Sequence, residues 1–276
     1  YMVSFNYYDH KGIIRNSGMK RYTMKTNIDQ KFLDIFKAGM NLTLTRIDND
    51  NTQLGDGNFE NSGIIRSAIQ MGPNIKAYDE ETGTYPINPL LGSQPNPYSL
   101  LNNTDKGRTD RLLGNVFVEA RPLEGLVLRV NAGIDHAAIN RSTYQPRTTL
   151  NGYNLNGVAY IYNTANNQYL MEGTATYQRT FADIHNLNLL AGVSYEKFNY
   201  DASELGNNNF ITDAFLYNNI EAGTGNKIVK SDATENKMLS YFFRAGYVLK
   251  GRYLLTATLR ADGASVFAKN NKWGYF

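Results

Sequence analysis

The side chains that usually carry chemistry are present but not assembled for it. His10, His136 and His185 lie far apart, and none belongs to an HExxH or related metal-ligand spacing. There is no GxSxG elbow, no phosphate-binding GxxxxGKS/T loop and, with no cysteine at all, no CxxC pair. The run from Asp48-Asn49-Asp50-Asn51 to Asp56-Gly57-Asn58 offers the oxygen ligands calcium takes, yet an EF-hand loop counted from Asp48 would need Gly and Glu where Gln53 and Phe59 stand. Glu80 and Glu81 are neighbours in a polar stretch rather than carboxylates facing each other across a cleft. Gly223-Thr224-Gly225-Asn226-Lys227 has neither a buried strand before it nor a helix after it, so it reads as a loop tip. These residues predict no enzyme and no cofactor.

Composition narrows the class. The 276 residues are 42% hydrophobic and 12% aromatic, with 28 Lys+Arg against 25 Asp+Glu and a net charge of +3. That is too aromatic and too weakly charged for a disordered chain. The basic residues are scattered, without the clustered run that marks a nucleic-acid binder. Apolar stretches such as Leu189–Val193 fall far short of the roughly 20 residues a membrane helix needs. The chain opens in full alternation at Tyr1 and stops as a new apolar segment begins at Trp273, which reads as an internal piece of a longer chain.

What positions the side chains is period-two alternation. Tyr22, Met24, Thr26, Ile28 and Phe32 share one parity while Arg21, Lys25, Asn27, Asp29 and Lys31 hold the other. The rule repeats with Phe36 to Leu44, Leu112 to Val118, Leu126 to Ile134, Met171 to Phe181, Leu187 to Tyr195, Leu239 to Tyr247 and Tyr253 to Ala261. With Tyr1, Val3, Phe5 and Tyr7, this predicts nine strands and the start of another at Trp273. Connections alternate in length: short turns near 34, 123, 184 and 250, and loops over 10–18, 46–108, 142–168, 200–236 and 263–272. Within the predicted strands only Arg179 puts a charge on the apolar parity, close enough to a turn to snorkel. Tight turns on one side, long loops on the other, aromatics beside the turns and long strands with one apolar face predict an antiparallel up-and-down transmembrane β-barrel. The alternative, a soluble or surface β-sandwich, must close nine long amphipathic strands into a sandwich, whose strands are usually only about 5–6 residues long. Inside the longest loop, Ser62 to Met71 has near-helical apolar spacing and breaks at Gly72-Pro73, and Pro86, Pro89, Pro95 and Pro97 stiffen the rest of that loop.

The last stretch carries a resemblance. Tyr253-Leu254-Leu255-Thr256-Ala257-Thr258-Leu259-Arg260-Ala261-Asp262-Gly263-Ala264-Ser265, continued by Phe267 and by Asn270-Asn271-Lys272-Trp273-Gly274-Tyr275-Phe276, closely resembles the LRxDGSSxFGxxNRWGYFPS signature of SusC/RagA-type TonB-dependent transporters of Bacteroidota outer membranes. Ala264, Ala268 and Lys272 depart from it. Arg111-Leu112-Leu113-Gly114-Asn115, Pro122-Leu123-Glu124-Gly125-Leu126 and Gly18-Met19-Lys20-Arg21-Tyr22 also look like that family's barrel, so the resemblance covers residues 1–276.

The resemblance implies about ten strands of a 22-stranded barrel in the outer membrane, with a plug domain and TonB box before Tyr1 and more strands after Phe276. It implies TonB-dependent import of glycan oligomers or oligopeptides with a SusD-like surface lipoprotein as partner, in contact with outer-membrane lipid and with no cofactor. A passive porin or a glycan-binding surface adhesin are the alternatives. On this reading the loop aromatics Tyr78, Tyr85, Tyr144, Tyr153, Tyr160 and Tyr162 are expected to meet substrate or lipoprotein. The polar-parity residues Arg129, Arg244, Arg260 and Asp262 are expected to meet the plug through charge-assisted hydrogen bonds.

Overall fold

A computed structural model describes residues 1–52, 63–91 and 94–276. Ten strands form one antiparallel sheet in strict sequence order. They are β1 (Met2–Lys11), β2 (Gly18–Phe32), β3 (Phe36–Asp50), β4 (Thr104–Leu123), β5 (Leu126–Gln145), β6 (Val158–Phe181), β7 (His185–Asn208), β8 (Ile228–Leu249), β9 (Tyr253–Ala264) and β10 (Trp273–Tyr275). Three short helices, α1 (Ile64–Gln70), α2 (Pro97–Leu100) and α3 (Leu150–Asn154), and a 3-10 turn at Leu216–Ala222 lie in the connections. No helix among the described residues is long and apolar enough to cross a membrane. The helix expected from Ser62 appears as α1 with Ile64 and Ser67 buried, and Ser62 itself lies outside the described residues.

The tight turns form where expected, through left-handed residues: Leu33 and Asp34, Gly125, Ala182 and Asp183, Lys250 and Gly251. Gly125 is the most constrained. Its φ is 80° and an added Cβ would stand 2.2 Å from the Gln178 carbonyl oxygen, which shares the site with the Gln178 N–H to Gly125 bond of 2.8 Å. Gly125→Val should therefore reopen the β4–β5 turn and cost on the order of 1–3 kcal/mol. The measurement is a denaturant midpoint, with Gly251→Val as comparison because nothing lies within 4 Å there. Next to this turn the β4 register shifts between Ala120 and Leu123, where Pro122 has no N–H for the ladder.

The long connections are shorter than expected because the strands run on past the apolar segments. The expected loops 46–108, 142–168 and 200–236 shrink to 51–103, 146–157 and 209–227. A strand needs its backbone partners, and these continue without a break: β6 pairs β7 from Val158–Asn208 down to Phe181–His185.

One ladder step joins Phe36, Ala120, Leu128, Ala175, Ala191, Phe243 and Leu259, every one apolar. A higher step begins with Leu44 and Leu112 and then turns polar through His136, Asn167, Asn199 and Glu235. On β8 the apolar residues resume at Leu239, four residues on from Glu235 and four strand-to-strand steps from β4. The apolar boundary thus slips about one residue per strand, which at ~3.3 Å per residue and ~4.8 Å between strands inclines the strands by roughly 35°. The nine-residue band on β3, Phe36 to Leu44, then spans roughly 24 Å along the normal, close to the apolar height of a transmembrane barrel. Leu42, Val130, Phe243 and Leu259 are spread over this open face, on β3, β5, β8 and β9, rather than gathered in a closed core, and Val130 is 56% exposed. The buried cluster sits elsewhere, above the band, where Tyr144, Ala159 and Phe210 pack with Leu216, Tyr217 and Ile220.

Candidate functional site: the polar face and its mouth

The face opposite the apolar band carries ion pairs between neighbouring strands. Arg111 grips Asp135 with two bonds of 2.8 and 2.5 Å, and Arg141 grips Asp105 with two of 2.9 and 2.5 Å. Lys230 reaches Glu204 at 3.1 Å and Lys37 reaches Asp29 at 3.3 Å, while within β9 Arg260 reaches Asp262 at 2.8 Å. Such forked arginine pairs fix side chains as well as neutralise them.

At the end nearest the long loops, which we call the mouth, Tyr160 and Tyr162 stack with ring centroids 5.8 Å apart at an interplanar angle of 16°. Both stand on the polar parity of β6. Gly206 across the ladder leaves the space that the Tyr160 ring fills, since a Cβ there would come within 2.7 Å of the ring. Tyr162 lies between Arg141 and Glu204 in the register. Burial and the nearby Glu204 carboxylate both push its hydroxyl above the ordinary tyrosine range. The arrangement offers a flat aromatic surface framed by satisfied charges, suited to apolar ring faces more than to a free ion.

At the opposite end, Phe117 is only 7% exposed and fills the space above Gly39. The Arg129 guanidinium lies 4.1 Å from its ring centroid and Lys37 lies 5.4 Å away. Phe242 covers Gly192 in the same manner. Of the four residues expected to meet a plug, Arg260 and Asp262 satisfy each other, Arg129 stacks on Phe117, and Arg244 has no partner among the described residues.

The expected loop aromatics separate into three groups. Tyr160 and Tyr162 belong to β6, not to a loop. Tyr144 is a correction of a different kind: it sits on β5, is 0% exposed, and donates its hydroxyl to Asp213 at 2.7 Å, so no ligand can reach its ring. Tyr78 and Tyr85 pair in the long loop with centroids 5.0 Å apart, and Tyr153 on α3 is 72% exposed. Asp105, Arg141, Glu204 and Lys230 were not foreseen, because the stretches holding them are polar on both parities. Their only signal was the recurrence of strand-forming Tyr and Thr at 160, 162 and 164.

The apolar-parity face also changes character beyond the band, where it carries charges that the shorter predicted strands excluded. Arg46 holds Asp110 through bonds of 2.6 and 3.0 Å, Arg108 holds Asp48 at 2.8 Å, and Lys106 holds Asp50. The Arg46 bond keeps the Asp110 carboxyl below its ordinary range. Lys197 and Lys237 flank Glu235 at 2.7 and 2.5 Å and bring its carboxyl down to about 2. Asp48 and Asp50 are thus engaged by cations, and the rest of the calcium-like run, from Gln53 to Asn58, lies outside the described residues. At the other edge Arg179 lies over the Phe181 ring at 5.3 Å and reaches the Tyr177 hydroxyl at 3.4 Å, next to the turn.

No family model matches the chain. Over its full length it is 31% identical to TonB-dependent receptor P3 of Formosa agariphila and 27% identical to TonB-dependent receptor SusC of Bacteroides thetaiotaomicron. It spans 28% of the length of each. Among solved structures, that of the RagAB peptide transporter superposes on 99% of this chain with a TM-score of 0.80 at 19% identity, covering 31% of that chain. The antiparallel ladder is therefore a segment of a barrel wall of that fold.

Proposed function

Because this chain belongs to the TonB-dependent receptors, we propose that it forms part of an outer-membrane barrel wall through which glycan oligomers or oligopeptides are imported. In this reading the apolar band faces lipid and the polar face lines the lumen. A SusD-like lipoprotein covers the mouth, the energy comes from the TonB complex, and the chain makes or breaks no covalent bond. The observation that carries the proposal is the two-faced ladder of ten strands, apolar on one parity and laced with ion pairs on the other. A β-sandwich would bury the apolar parity, and here it stays open.

Tyr160 and Tyr162 are the residues proposed to meet substrate at the mouth, with Tyr78, Tyr85 and Tyr153 on the loops above. Arg244 and Arg129 are proposed to meet the plug, Arg244 because it has no other partner among the described residues. Arg260 and Asp262 would meet it as an already neutralised pair.

The test is uptake of labelled oligomers by cells carrying the whole receptor. Tyr160→Ala with Tyr162→Ala should weaken uptake at subsaturating substrate about tenfold, from ~0.5–1.5 kcal/mol per lost ring contact. Receptor abundance in the membrane should not change. Unchanged uptake would remove these two rings from the transport path, and uptake surviving deletion of the TonB complex would favour a passive pore instead.

A further inference from the structure

On the polar parity, β6, β7 and β8 carry an ordered track that descends from the mouth. Same-side residues meet there in six successive ladder steps, from Tyr160–Gly206–Ile228 at the top to Leu170–Glu196–Met238 at the bottom. Four rings stand on it: Tyr160 and Tyr162, stacked in the first two steps, then Tyr200 opposite Asn166 and Phe198 opposite Gln168. Three carboxylates are interleaved with them, Glu204 in the Tyr162 step, Asp232 in the Thr164 step and Glu196 in the Leu170 step. The neighbouring cations do not cancel this charge. Lys230 is the one cation on these six steps and Glu204 holds it, while Arg141, beside the Tyr162 step, is forked onto Asp105. Asp232 has no partner among the described residues, and Glu196 accepts a bond from the uncharged Gln168 amide. Three carboxylates against one lysine leave an excess of two negative charges. Below the track come another carboxylate, Glu172, and then Arg129, which lies on the Phe117 ring.

A chain lying along these strands meets rings and carboxylates at a fixed interval. Two strand residues rise about 6.7 Å, so the six steps cover roughly 33 Å. The same-side side chains of an extended peptide recur at that interval too, and so stay in phase with the wall throughout. Rings and carboxylates also call for one chemistry. A lysine or arginine lays its methylene stem on a tyrosine face, is drawn there by the ring quadrupole, and carries its charge on to a carboxylate. We propose that this track selects extended basic oligopeptides, of about ten residues, over glycans and over acidic peptides. The negative excess raises the local concentration of cationic chains and repels anionic ones. This selection rests on the proposed import reading, in which the polar face lines the lumen.

The experiment measures, by fluorescence anisotropy, the binding of labelled peptides to the whole receptor purified from membranes in mild detergent. Three peptides of about ten residues share one apolar framework and carry Lys, Gln or Glu at every second position. The Lys peptide should bind about tenfold more tightly than the Gln peptide, and the Glu peptide more weakly than either, with the differences shrinking in high salt. Asp232→Asn combined with Glu196→Gln should cut the Lys-over-Gln preference to about twofold while the Gln peptide binds as before. Asp201→Asn, next in sequence to Ala202 of the track but exposed on the opposite parity, should leave the preference at its full value. Equal binding of the three peptides, a preference untouched by the double variant, an equal drop in Asp201→Asn, or displacement of the Lys peptide by a neutral glucose oligomer would each overturn the selection and leave the import reading standing. A double variant that keeps the preference but opens the receptor's plug to protease would assign the carboxylates to the plug instead. Uptake of the Lys peptide that survives loss of the TonB complex would overturn the import reading alone. Recovery of the receptor outside the membrane fraction would overturn the barrel reading, and this selection with it.

Discussion

Val130→Arg should leave the receptor unfolded or undelivered in most cells, whereas Asn131→Arg, one residue further, should be tolerated. Val130 projects from the middle of the apolar band, between Val118 and Gly173 on the neighbouring strands. An arginine there has no water and no carboxylate within its ladder step, which costs about 2–4 kcal/mol at mid-bilayer. Asn131 has the opposite parity, paired with Phe117 and Glu172. The new guanidinium would face Glu172, at the loss of the 2.7 Å amide bond between Asn115 and Asn131. Folded fraction in isolated outer membranes, read by heat-modifiable gel migration, separates the two. Equal behaviour would mean that the two faces are not lipid and lumen, and the functional reading would fail with them.

Tyr144→Ala should loosen the mouth without dissolving the barrel. The ring is wholly enclosed by Ala159 and Phe210, set edge to face on Phe210 at 5.8 Å, and the hydroxyl binds Asp213. Arg147 reaches the same carboxylate at 3.3 Å and the Ile211 carbonyl at 3.0 Å, so this one side chain ties loop 146–157 to loop 209–227. Truncating an enclosed aromatic of this size costs about 3–5 kcal/mol. Hydrogen exchange should rise over those two loops while β6 and β7 near the band stay protected. Tyr144→Phe keeps the packing and should lose only about 1–2 kcal/mol, because Asp213 retains Arg147. Burial and the Asp213 carboxylate both raise the Tyr144 hydroxyl above its ordinary 10.0. The unfolded chain therefore gives up this proton first, and the loop anchor weakens as pH climbs above about 10. Global unfolding in Tyr144→Ala would show that the mouth and the wall are a single cooperative unit.

Alternation alone was enough to locate the band and its tight turns, because every second residue there must be apolar and a single slip would expose the wrong face; the resemblance over Tyr253 to Phe276 rested instead on the identity of particular residues such as Arg260, Asp262, Gly263 and Trp273. It also separated Arg129, Arg244, Arg260 and Asp262 from the apolar parity without any coordinates. Beyond the band the same code falls silent. Once both faces of a strand are wet, Thr164, Asn163 and Tyr162 alternate in position but not in polarity, and only pairing across the ladder reveals that they are strand. Hence Tyr144, Tyr160 and Tyr162 looked alike as loop aromatics, and tertiary structure alone put the first inside a packed cluster and the other two on the wall. The ion pairs joining Arg141 to Asp105 and Arg111 to Asp135 were likewise beyond reach, since they link residues 36 and 24 positions apart whose meeting depends on register. The residues dictated which way each side chain points; the inclination and register of ten strands decided what it meets.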